Sequence, residues 1–174
     1  MNRENLVKVL IILPMFLIGF AIGSLIKLSH EAASFKPYMW DNNEPKPIVM
    51  NCYDGKIDES KVLLAIDYWK DKGHEVMFYE HNPPPLTCDI GWIDGVIILR
   101  KAQPGDLDYV TLAITKRKTS LGKIHGVQIL LKSGTQDYDL LLEHELGHAF
   151  GYGHYDMKGH IMHSLYEQMG PMFW

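Results

Sequence analysis

Apolar positions along the chain fall into three patterns. From Val9 to Ile26 they run without a charge between Lys8 and Lys27. As a helix that run would be roughly 27 Å long at about 1.5 Å per residue, close to the hydrocarbon thickness of a bilayer. Short, β-branched apolar runs form the second pattern, at Pro47 to Cys52, Glu75 to Tyr79, Gly95 to Arg100, Thr111 to Lys116 and Gly126 to Leu131, each read as a strand. In the third, apolar residues recur at helical spacing: Val62, Ile66 and Trp69 predict a helix from Asp58 or Glu59 to Lys72, with Asp58 placed to cap it. A second helix is expected from near Asp137, through DYDLLLEHELGHAF, to a stop at Gly151. The order of strand, helix, four strands and helix predicts an α/β (α+β) fold, with one mixed five-stranded sheet and two main helices.

The organisation that follows has a membrane anchor or signal segment over 1–28, a proline-broken linker over 29–47 and a folded domain over 48–174. Arg3 and Lys8 ahead of the apolar run, and Ala32, Ala33 and Ser34 behind it, keep a cleaved signal open beside a single-pass anchor. Either reading carries the domain out of the cytoplasm, as a membrane-bound or a secreted protein. Gly19 and Gly23 form a GxxxG spacing that would let two anchors pair as a homodimer.

Composition narrows the picture a little. With 174 residues, 47% of them hydrophobic, the chain can bury one sizeable core. A net charge of -4 and scattered lysines exclude the basic field that nucleic-acid binding needs. Cys52 and Cys88 lack CxxC spacing, so they read as one disulfide or two buried thiols.

The chemistry concentrates in HELGHAFGYGH, residues 144–154. Residues four apart share a helix face, so His144 and His148 can direct both imidazoles at one point. Glu145 lies between them, placed for a general base beside the metal rather than for a ligand. Gly151 can take the positive φ that ends a helix and let the chain turn so that His154 supplies a third imidazole. Three neutral imidazoles hold Zn2+ and leave a fourth tetrahedral position open, the mark of a catalytic site.

This stretch resembles the zinc signature of the metzincin metalloendopeptidases, HExxHxxGxxH. That family has a Met-turn after the third histidine, and GHIMHS supplies Met162 at that place. The resemblance implies that Met162 forms an apolar floor under the imidazoles. It further implies an upper subdomain of five strands and two helices, and a short C-terminal subdomain after His154. Leu112, Ala113, Ile114 and Thr115 then resemble the antiparallel edge strand along which the family lays an extended peptide or protein substrate. The expected activity is peptide-bond hydrolysis, with Glu145 moving the proton from water to the leaving amine. A zinc hydrolase of cell-wall peptide cross-links and a non-catalytic binding module are the alternatives. The chain departs from the family pattern where some groups place a tyrosine two residues past the methionine: here that position is Ser164, with Tyr166 next in line.

Overall fold

The computed structural model describes residues 35–41, 44–53 and 57–173. Six strands make one sheet: β1 (Met39–Trp40), β2 (Ile48–Asn51), β3 (Tyr79–His81), β4 (Val96–Lys101), β5 (Ala113–Ser120) and β6 (Lys123–Leu131). Three helices accompany them: α1 (Glu59–Lys70), α2 (Pro85–Cys88) and α3 (Leu141–Ala149).

Strand composition explains the sheet order. The first four residues of β4 are all buried, as expected of a strand covered on both faces. β4 pairs in parallel with β2, Val49 opposite Ile97, and with β6, Ile97 opposite Val127. β3 joins the far side of β2, also in parallel. The antiparallel member is β5, which pairs with β6 from Ala113 opposite Leu131 to Ser120 opposite Lys123. No other strand pairing is formed by β5 among the described residues, and its run of Lys116, Arg117 and Lys118 suits an edge.

The fold is therefore α/β with a mostly parallel sheet, as expected in class, and its described residues form one strand and one α-helix more than expected of the folded domain. The additional strand, β1, lies in the stretch read as linker and pairs with Lys123–Ile124 of β6. The additional helix, α2, starts with Pro85 at its first position, where a missing N–H costs nothing. Cys88 at its end forms a disulfide with Cys52.

Boundaries moved where tertiary contacts prevailed over local pattern. The strand expected over Glu75 to Tyr79 forms at Tyr79–His81, while Met77 and Phe78 remain exposed. Thr111 and Leu112 precede β5 instead of belonging to it. α3 begins four residues later than Asp137: the segment before it makes successive turns, Thr135 N to Lys132 O and Tyr138 N to Thr135 O, and Leu140 is left-handed at φ 63°. A right-handed helix cannot continue through such a residue.

α1 holds to expectation at its start, where the Asp58 carboxylate accepts from Ser60 N at 2.9 Å. Its Val62, Ala65, Ile66 and Trp69 are buried, and α1 packs on α3, which packs on β5 and β6. Trp69 is fully buried, a contribution on the order of 5 kcal/mol in transfer free energy at about 25 cal/mol per Å². Its indole N–H donates to Glu143 O, so the core residue also fixes the helix that bears the histidines.

The membrane assignment is corrected. Among the described residues no helix is long and apolar enough to cross a membrane; the longest, α1, has 12 residues. The apolar run over 9–26, with Gly19 and Gly23, lies outside the described residues.

Candidate metal centre

α3 directs His144 and His148 to one point. Their Nε2 atoms are 3.1 Å apart, and His154 Nε2 is 3.1 Å from that of His148. The turn that recruits His154 is a Schellman motif: Tyr152 N bonds Gly147 O and Gly151 N bonds His148 O, with Gly151 at φ 102°. Gly151 also lies close against the backbone of Tyr38: a Cβ there would stand 2.0 Å from Tyr38 O. The indole of Trp40 donates to Ala149 O at 3.0 Å.

The ring orientations follow from backbone carbonyls. His144 Nδ1 donates to Ile161 O and His148 Nδ1 to Tyr152 O, each at 2.8 Å. With the proton committed to Nδ1, each Nε2 presents a lone pair. Burial pushes His144 down to about 4 and His148 to about 3, and it lowers His154 as well. All three are therefore neutral at neutral pH, as metal ligands must be.

Lone pairs 3.1 Å apart repel unless a proton or cation lies among them. Two nitrogens placed tetrahedrally at about 2.0–2.1 Å from zinc stand roughly 3.3 Å apart, close to the spacing observed. The donor set thus fits a metal ion, and His144, His148 and His154 could hold one.

Glu145 is 4% exposed. Thr115 of β5 donates through Oγ1 to Glu145 Oε2 at 2.6 Å and to Glu145 O at 3.1 Å. Burial raises the carboxyl to about 7, against the downward pull of that hydrogen bond and of the Arg117 charge. All three histidines and Glu145 line one cleft of about 710 Å³, whose wall includes Leu112, Ala113, Ile114 and Thr115.

Met162 is completely buried. It packs against Gly147: a Cβ there would stand 2.3 Å from Met162 Sδ and 2.5 Å from Trp69. A glycine inside a helix costs about 1 kcal/mol relative to alanine, and here nothing larger fits. The segment carrying Met162 also supplies Ile161 O, the acceptor for His144. His163 and Tyr166 line the cleft, while Ser164 donates to Asp156. His160 is buried against the rings of Tyr155 and Phe173.

Two contributions escaped sequence reasoning. One is the pair of ring-orienting carbonyls. The other is Arg117 on β5, which donates to His148 O at 2.8 Å and Tyr152 O at 3.3 Å; an edge position among lysines gave no signal of this.

Comparison with known proteins finds no protein-family model that matches the chain and no curated protein similar to it. The functional reading therefore rests on the geometry of the three histidines and their surroundings.

Proposed function

We propose that the chain is a zinc-dependent endopeptidase of the metzincin type. The observation that carries the reading is the juxtaposition of three convergent imidazoles with a buried carboxylate on the same helix, both facing a cleft walled by an edge strand. All-imidazole ligation suits zinc among the metals available to such a site. His144, His148 and His154 would hold it, and it would supply Lewis-acid polarisation of a carbonyl and acidification of water.

The protein's own groups do the rest. Glu145 is the base: its carboxyl is buried between the two histidines of the same helix and lines the cleft that they line. It accepts a proton from the attacking water and delivers it to the amine nitrogen as the C–N bond breaks. The edge of β5 away from β6 has no strand partner among the described residues, so an extended peptide can add to it through main-chain hydrogen bonds. An edge open to main-chain hydrogen bonds supports an extended peptide substrate over a branched wall cross-link. Met162 supports the helix from below by filling the space that Gly147 leaves.

The test is to incubate the purified chain with a proteome-derived peptide library, with and without a chelator, beside Glu145→Gln. Cleavage abolished by chelator and restored by zinc is expected. Glu145→Gln should keep its zinc and cut about 10²- to 10⁴-fold more slowly. A zinc-loaded wild type that leaves the library intact, or a Glu145→Gln protein at full rate, overturns the reading.

A further inference from the structure

We propose that Arg117 is a positioning residue that sets metal affinity by holding the carbonyl to which ligand His148 is bonded. The inference rests on the metal reading above and adds a device to it.

The geometry is a short chain of contacts. His148 Nδ1 donates to Tyr152 O at 2.8 Å. Arg117 reaches from β5 beneath the C-terminus of α3, and its NH1 nitrogen donates to that same Tyr152 oxygen at 3.3 Å and to His148's own carbonyl at 2.8 Å. One guanidinium thus fixes the backbone of a ligand and the acceptor that orients its ring. The last carbonyls of a helix lack intrahelical donors and carry the negative end of its dipole, so a cation there is favoured twice. The guanidinium is itself held: its carbon lies 4.9 Å from the centre of the Tyr38 ring. Tyr38 in turn contributes the carbonyl that approaches Gly151, the residue at which the chain turns toward His154.

Loss of Arg117 leaves the Tyr152 carbonyl free to drift and the His148 ring free to rotate about χ2. Metal affinity falls even where the fold is kept, because outer partners of this kind hold first ligands in register. Trp40 offers the contrast. It bonds Ala149 O on the same helix end and donates to neither carbonyl in the chain of contacts, so its loss is expected to affect stability alone.

The experiment titrates the metal-free full chain with zinc against a chromophoric chelator, and records the d–d absorption of the cobalt form. Arg117→Met is expected to bind zinc about 10- to 100-fold more weakly, with an altered cobalt spectrum. Arg117→Lys keeps the charge but loses the planar guanidinium that rests on the Tyr38 ring and fixes the donor's place, and is expected to lose roughly 3- to 10-fold. Trp40→Phe should melt earlier and keep wild-type zinc affinity. Wild-type affinity and spectrum in Arg117→Met overturns the proposal. If that variant does not fold, wild-type affinity in Arg117→Lys overturns it instead. A wild type that takes up neither zinc nor cobalt refutes the metal reading itself, a different and separately visible failure.

Discussion

Gly151→Ala separates two costs that meet at one residue. The first is conformational: Gly151 sits at φ 102°, and a left-handed backbone costs an L-residue about 1–2 kcal/mol. The second is steric. A Cβ at this position would stand 2.0 Å from Tyr38 O and 2.7 Å from Tyr38 C, a backbone neighbour that cannot swing aside as a side-chain tip can. Forced displacement in a packed region costs about 1–3 kcal/mol, so the sum is roughly 2–5 kcal/mol. Gly105 supplies the control, since its φ is 93° and nothing lies within 4 Å of its built Cβ; Gly105→Ala should show the first cost alone. At about 3 °C per kcal/mol for a domain of this size, Gly151→Ala should melt ~6–15 °C below wild type and Gly105→Ala ~3–6 °C below. Because the displaced turn also leads to His154, the rise in Tm expected of the wild type with zinc should shrink in Gly151→Ala and persist in Gly105→Ala. Differential scanning calorimetry with and without zinc makes the comparison. Equal melting of the two variants with equal zinc increments would refute the claim that the Tyr38 contact and the helix stop are one device.

Acidification should destabilise the metal-free protein. His144 and His74 are held down at about 4 and His148 at about 3, chiefly by burial; the stability from keeping them neutral is present above about 6.5 and lost as pH falls toward those values. Glu145, raised to about 7, and Glu143, also raised by burial, act in the opposite sense, their contribution present below about 4.5 and lost as pH rises, but they are two groups against five, since burial lowers His154 and His160 as well. Tm of chelator-treated protein should therefore fall from pH 7 to pH 4.5, more steeply in Glu145→Gln, and a flat profile would contradict the burial of these rings. The Cys52–Cys88 disulfide closes a loop of sequence separation 36, which corresponds to about 4 kcal/mol of chain entropy. Reductant should lower Tm by roughly 10 °C, and an unchanged melt would show that the bond does not constrain the unfolded chain.

What could be read in advance differs between the ligands and their supports for a physical reason. His144 and His148 were legible as a pair because helical periodicity converts a spacing of four into a shared face. Gly151 and His154 were legible because a positive φ after a helix is a role that few residue types fill. Thr115 was readable as an edge-strand residue, but its bond to Glu145 depends on which face of β5 turns toward α3, a property of packing and not of local sequence. Arg117 hid for the same reason, one cation among Lys116 and Lys118 until the fold laid it under a helix end. The late start of α3 was concealed by Asp137 and Asp139, which look like first-turn residues, while the left-handed Leu140 that sets the boundary carries no residue-type mark. The two-residue β1 was invisible in a stretch interrupted by Pro37, Pro45 and Pro47.

The acceptors for His144 and His148 are the extreme case. They are Ile161 O and Tyr152 O, and every residue has a carbonyl, so no side-chain pattern could point to them. It follows that the identity of the candidate metal donors is written in side chains, while the tautomer of His144 and His148 is written in backbone path. A substitution at Ile161 or Tyr152 that leaves the path intact keeps the acceptor. A substitution at Gly151, Gly147 or Arg117, none of which offers a nitrogen to the cluster, is expected to move the path and with it the lone pairs. Gly147 and Gly151 therefore contribute to the candidate centre through the backbone they permit, and the substitution that tests the proposed support without touching one of the three histidines is that of Arg117 on the strand across from them.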